Sequence, residues 1–403
     1  MSYNLSGLKM QLEKELTHTI LPFWMQKMPD AKNGGFYGQI NGNDQVIADA
    51  PKGGILNARI LWTFSAAYNS LNNPRFLETA TYAKDYIFEH FFDSVFGGTF
   101  WCLDSKGEPL DTKKQIYSQA FFIYALSEYY LVSGDEKCKD EAINLFRLIE
   151  KHSFDKELNG YFEAYSKDWR LLTDLRLSAK DANEKKTMNT HLHILEAYTN
   201  LYRIWKNETL AGQLKNLINI FLNKIIDPKS FHLNLFFDEN WECKSNITSY
   251  GHDIESSWLL YEAALGLHDP VLIEKTKKIC LKIVDASEEG LQSDGSLIYE
   301  KDNTSGHTDF ERHWWPQAEA VVGFYNAFEL TGDSEYLLKA QKTYSYIQAN
   351  LIDKVNGEWY WSIKADGNAN RDGDKAGFWK CPYHNGRMCL EIIKRVKESY
   401  INN

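Results

Sequence analysis

The chain has 403 residues and a formal net charge of −10, long enough for a large core and too acidic to suit a polyanionic partner such as nucleic acid. With 43% hydrophobic and 25% charged residues its composition is that of a globular protein, which excludes disorder. No apolar run approaches the roughly 20 residues of a membrane span, so a membrane is not an expected partner either.

In chain order, "MSYNLSGLKMQLEKEL" reads as the start of an amphipathic helix rather than a signal peptide. Six cysteines (Cys102, Cys138, Cys243, Cys280, Cys381, Cys389) show no CxxC spacing. Reduced thiols and a cytoplasmic location are therefore expected. A Gly-aromatic turn then recurs: "NGGFYGQI" at Asn33, "FGGTFWCL" at Phe96, "NGYFEAYS" at Asn159, a degenerate "FHLNLFFDENWE" at Phe231, "DGSLIYEK" at Asp294 and "NGEWYWSI" at Asn356. Copies lie roughly 60 to 70 residues apart, a period that marks repeated supersecondary units.

After each turn comes a strongly apolar helical segment, for example "ILNARILWTFSAAYNSL", "IYSQAFFIYALSEYYLVSG" and "DIESSWLLYEAALGL". A more charged, amphipathic helix follows, as in "PRFLETATYAKDYIFEHFF". Helices apolar all round must be buried, and amphipathic ones cover them from outside. Six such pairs with no capping unit close into a ring better than they extend as an open solenoid. The expected fold is an all-α (α/α)6 barrel of twelve helices with short β-hairpins in the connections, a single domain spanning residues 1–403 and acting as a monomer.

Polar residues inside the buried helices either face a shared cavity or are costly. Arg59 is the lone charge of its segment. Asn189, His193 and Glu196 share one helical face, whereas His191 points elsewhere. His252 and Glu255 lie one turn apart, as do Trp315 and Glu319, and Trp379 and His384 precede the last helix. Two histidines suit proton transfer near neutral pH, with Glu255 supporting His252. Arg59 offers charge to a developing oxyanion, and the tryptophans offer platforms for sugar rings. The His-x-His and His-x-x-Glu spacings lack an HExxH motif, so no metal is expected. No Gly-rich phosphate loop supports a nucleotide cofactor, and no GxSxG elbow or activated cysteine supports a nucleophile.

The segments "KGGILNARILWTFSAAY", "MNTHLHILEAYTNLY", "GHDIESSWLL", "RHWWPQAEAVVGFYNAF" and "FWKCPYHNGRMCLEI" resemble the N-acylglucosamine 2-epimerase superfamily and, within it, the cellobiose 2-epimerases. The resemblance runs from about Gly34 to Ile392 and implies the same (α/α)6 barrel. It implies cofactor-independent C2 epimerisation, through an enediolate, of the reducing-end sugar of a β-1,4 disaccharide such as cellobiose or lactose. His384 and His252 would be the acid/base pair, Glu255 a support for His252, and Arg59 the enediolate-side cation. Asn189, His193, Trp315 and Trp379 would contact the sugar, joined by Glu319, Tyr117, Ser178 and Trp258. A mannobiose 2-epimerase, a related sugar isomerase, an (α/α)6 glycoside hydrolase and a non-catalytic sugar-binding protein are the alternatives.

Overall fold

The computed structural model describes residues 5–401. Residues 1–4 and 402–403, which belong to the expected N-terminal helix start and single-domain span, lie outside the described residues. Six inner helices run Gly54–Leu71, Ile116–Ser133, Met188–Ile204, Tyr250–Leu267, Trp314–Thr331 and His384–Ile401. Each packs against the next, and the sixth packs against the first, so the ring closes. Outside lie Pro74–His90, Glu136–His152, Glu208–Ile220, Pro270–Ser287 and Ser334–Tyr346. The sixth outer position is filled by the N-terminal helix, Leu5–Glu15, which continues through a π turn, Leu16–Ile20, into Leu21–Gln26 and packs on the last inner helix. The described residues therefore form the twelve-helix (α/α)6 barrel, with its first and last helices closing the circle.

Burial follows the sequence pattern. In the second inner helix every side chain from Ile116 to Tyr129 is buried. Its outer partner buries one stripe only, Cys138, Ala142, Ile143, Leu145, Phe146 and Ile149. Helix pairs are joined by a compact device. Gly134 (φ 69°) and Gly332 (φ 74°) end inner helices in the left-handed conformation, and the next residue, Asp135 or Asp333, caps the following helix.

All six Gly-aromatic turns are present, each as an isolated bridge, from Pro29↔Phe36 to Ile352↔Trp359. The ladders include the expected hairpins within a unit, Cys102–Leu103 with Pro109–Asp111 and Glu300–Asp302 with Thr308–Asp309, and others that run between neighbouring units. The strand before each of the first five inner helices pairs with the strand after the next turn, as in Lys114–Gln115 with Ala164–Tyr165 and Arg312–His313 with Ser362–Ile363, and before the sixth Ala376 bridges to Ile40.

A second repeat went unread in the sequence. Asp30, Asp93, Asp155, Asp227 and Asp353 each accept hydrogen bonds from the backbone of the following turn. Four also pair with a buried lysine: Lys52 at 3.0 Å, Lys114 at 2.9 Å, Lys186 at 2.8 Å, and Lys375. Lys52, Lys114 and Lys186 stand two residues before an inner helix, so each pair pins a turn to a helix entrance. Removing one partner strands a buried charge. Lys114→Met is expected to cost about 3–5 kcal/mol in urea unfolding, and adding Asp93→Asn should recover part of that loss.

The fourth residue of several inner helices holds the same turns from the other side. Gln119 brackets the Thr99 backbone (2.9 Å to both N and O), His191 Nε2 accepts from Tyr161 N–H (2.9 Å), Asp253 accepts from Leu233 N–H (2.9 Å), and Gln317 brackets Leu297 (2.8 Å). His191 is thereby a structural histidine, its Nδ1–H donating to Thr187 O at 2.6 Å.

Candidate active site

Most of the candidate residues lie in the first two turns of the inner helices, which all begin at the same end of the ring, while Ser178 and Trp379 lie in loops and Trp258 is ninth in its helix. Asn189 and Trp315 are second residues of their helices, His252 is third, and Arg59, His193, Glu255 and Glu319 are sixth. Helix N-termini converging on one cavity favour negative charge there. At this mouth a cavity of ≈ 390 Å³ is lined by Ser178, Asn189, His252, Tyr299, His313 and Trp361. Asn189 Oδ1 has no hydrogen-bond partner.

His252 and His384 both contact the Trp315 indole, with ring centroids 4.7 and 5.6 Å away. The close approach depends on Gly251, where a Cβ would fall 2.6 Å from the Trp315 ring. His384 Nδ1 lies 2.7 Å from Glu319 Oε1, so the carboxylate accepts its N–H and Nε2 is left as a lone pair. His252 Nδ1 lies 2.8 Å from Ser249 Oγ. A hydroxyl can donate or accept, so His252 is free to exchange tautomers while His384 is not.

Glu255 does not support His252, as its spacing had suggested. It accepts from Arg387 Nη2 at 2.6 Å, and its Oε1 lies 3.9 Å from His384 Nδ1. Spacing along one helix put Glu255 on the right face, but its partners come from the last helix. Nor do the two histidines keep solution-like affinities. Burial, reinforced by the charge of His193, lowers His252 to about 3, and burial with the Arg59 and Arg387 guanidiniums drives His384 well below 6.5. Both imidazoles are neutral at physiological pH. Since a base must be unprotonated, the acid limb of kcat/KM is expected well below pH 6.5; a fall centred at 6 to 7 in a pH–rate profile would contradict this.

Arg59 is buried and makes no ion pair among the described residues. Nη2 donates to Tyr117 Oη at 2.9 Å and Nη1 to Trp379 O at 3.3 Å, with Cys381 Sγ at 3.7 Å. Phe121 and Tyr383 cover its planar faces at 4.2 and 4.6 Å. A guanidinium without a carboxylate is available to an anion formed in the cavity. Tyr117 thus acts by holding Arg59. His193 donates Nδ1–H to Glu196 (2.9 Å), which leaves Nε2 as an acceptor suited to a sugar hydroxyl rather than to an oxyanion.

Other assignments shift as well. Trp258, expected against the sugar, is 1% exposed and donates its indole N–H to Glu319 at 3.1 Å, so it stands behind the carboxylate. Asp253 is turned to Leu233 and to His232 Nδ1 (2.7 Å). Trp379 is half-buried, its ring 6.1 Å from that of Tyr117. Glu255, Glu319 and His384 converge closely enough to suggest a metal site. Arg387 Nη2 already stands 2.6 and 2.7 Å from the two carboxylates, so this donor set does not fit a cation.

Arg387 was missed in the sequence. It is fully buried, and its Nη1 donates to Glu196 and Tyr383, while Tyr383 Oη donates to Glu196. The available signal was its position one turn after His384, in "HNGRM". A second cavity of ≈ 340 Å³ opens at the other end of the inner helices, lined by Trp62, Tyr124, Glu128 and Glu262. Glu196 forms part of its wall, so the Arg387 cluster lies on the floor between the two mouths.

Paired imidazoles beside an unneutralised arginine in an (α/α)6 barrel suit proton transfer, and family membership makes the chain a carbohydrate epimerase, an isomerase. It belongs to the N-acylglucosamine 2-epimerase (GlcNAc 2-epimerase) family, whose model matches residues 35–385. It is 55% identical to a cellobiose 2-epimerase from Bacteroides fragilis over 96% of this chain and 98% of that one. A cellobiose 2-epimerase from Ruminococcus albus is 41% identical, with 96% and 98% covered. The solved structure of cellobiose 2-epimerase from Bacillus thermoamylovorans superposes with a TM-score of 0.92 at 43% identity, covering 97% of this chain and 100% of that one.

Proposed function

We propose that the chain catalyses reversible, cofactor-independent C2 epimerisation of the reducing-end sugar of β-1,4-linked disaccharides such as cellobiose and lactose. The observation that carries the reading is the contact of two neutral imidazoles, His252 and His384, with one indole. In this reading the pyranose opens first, because only the aldehyde acidifies the C2 proton. His384 Nε2 takes that proton, and Arg59 balances the enediolate charge. Rotation about C2–C3 presents the opposite face to His252, which returns a proton to C2. Because both imidazoles start neutral, the proton gained by His384 passes through solvent to His252 before the return, so the donor to C2 is an imidazolium and both histidines end neutral. Asn189, Ser178 and His193 Nε2 would bind hydroxyls, and Trp315 and Trp379 would flank the rings.

The hydrolase reading fits the geometry poorly. Two carboxylates must flank the scissile bond, roughly 5–9.5 Å apart. Glu255 and Glu319 instead converge on one Arg387 nitrogen and are each 1% exposed. Incubation with cellobiose, lactose and β-1,4-mannobiose in D2O tests the proposal. An epimer deuterated at C2 supports it, released monosaccharides would mean hydrolysis, and unchanged sugars would overturn it. We also propose a single catalytic domain working as a cytoplasmic monomer, supported by ring closure within one chain and six free thiols. No helix among the described residues is long and apolar enough to cross a membrane.

A further inference from the structure

We propose that Arg387 is a positioning residue: its guanidinium keeps Glu319 and Glu196 as hydrogen-bond acceptors for His384 and His193, and so fixes which nitrogen of each imidazole faces the substrate. The inference rests on the epimerase reading above and deepens it. Arg387 does not touch the sugar cavity, being 0% exposed, yet it reaches the site through three carboxylates. Nη1 donates to Glu196 of the third inner helix, and Nη2 to Glu255 of the fourth (2.6 Å) and Glu319 of the fifth (2.7 Å). Two of those carboxylates then receive imidazole protons, Glu319 from His384 (2.7 Å) and Glu196 from His193 (2.9 Å). Trp258 completes the cage, its ring 4.7 Å from the guanidinium and its N–H on Glu319.

The charge count gives the arrangement its meaning. Three buried carboxylates share one guanidinium, so without it they would take up protons rather than stay ionised together. A protonated Glu319 becomes a donor. His384 Nδ1 would then have to accept, its proton would move to Nε2, and the nitrogen facing C2 would cease to be a base. Burial raises Glu255, to about 8 with the Glu319 charge adding to it, and raises Glu319 too, where Arg387 works against it. Burial would raise Glu196, but the Arg387 charge together with the His193 and Tyr383 hydrogen bonds holds it down at about 2. Other groups facing this cluster are Arg59 from the first inner helix, Tyr117 and Tyr124 from the second, and Tyr383 beside and Glu391 on the sixth; none supplies a second cation bonded to Glu319.

The test is Arg387→Met, assayed as C2 deuterium incorporation into cellobiose alongside a thermal melt. Expected are a kcat lower by about 10- to 100-fold, the range for loss of a supporting partner, and a KM within about 2-fold. The acid limb of kcat should move to higher pH, because a cation that disfavours protonation of His384 has gone. Arg387→Lys keeps a charge but cannot bridge Glu196 and Glu319, and should restore the limb more than the rate. If the methionine variant fails to fold, the lysine variant carries the same two readouts. A folded variant with wild-type kcat and limb would overturn the assignment, as would a kcat loss uniform with pH, which marks a merely structural role. A wild-type protein that leaves every disaccharide unchanged defeats the epimerase reading itself; an active wild type beside an unaltered variant defeats only the role of Arg387.

Discussion

His384→Ala is expected to reduce exchange of the C2 hydrogen with D2O by about 10²–10⁴-fold, to background, while the protein stays folded. Of the two acid/base imidazoles, His384 is the one whose free nitrogen is set by a carboxylate, through Glu319 at 2.7 Å. Its loss removes a base but leaves no unpaired charge, since Glu319 keeps Arg387 at 2.7 Å and Trp258 at 3.1 Å. His252→Ala should behave differently. With His384 intact, proton removal still occurs, so deuterium should enter the recovered starting sugar faster than the epimer forms. NMR of the C2 position separates these outcomes. Normal exchange in His384→Ala would refute the assignment of the base.

Arg59→Met is expected to lower kcat by about 10²–10³-fold with a small change in KM, because the charge it answers exists only after the C2 proton has left. Stability should move the other way. Arg59 has no carboxylate partner among the described residues and lies between Phe121 and Tyr383, so methionine replaces an unpaired buried cation in an aromatic cage. An unchanged or higher Tm with collapsed turnover is the expected signature. A destabilisation of several kcal/mol would instead assign Arg59 to the core. Lysine should rescue little, since its single ammonium cannot hold Tyr117 Oη and Trp379 O as the guanidinium does.

The architecture was legible because it is written periodically. Six Gly-aromatic turns, apolar helices and amphipathic helices repeat along the chain, and each repeat reports the same local physics. The polar residues of the inner helices were legible for a related reason. Arg59, His193, His252, Glu255 and Glu319 interrupt segments that are otherwise apolar, and burial makes such interruptions costly unless they have a use.

Partnerships were harder to read. Glu255 is three residues from His252 in sequence, yet its hydrogen bond is to Arg387, 132 residues on. The Asp93–Lys114 pair and its siblings recur in the turns but join positions 21 to 31 residues apart, beyond the reach of a helical period. The sequence by itself therefore determined the barrel, the face each side chain takes and the candidate chemistry, all of which depend on local periodicity and burial. Only the tertiary structure decided which carboxylate serves which histidine, that both imidazoles are neutral, and that one arginine ties four inner helices together. Hydrogen bonds and desolvation act over a few ångströms in space, and ring closure brings residues together that the sequence keeps far apart.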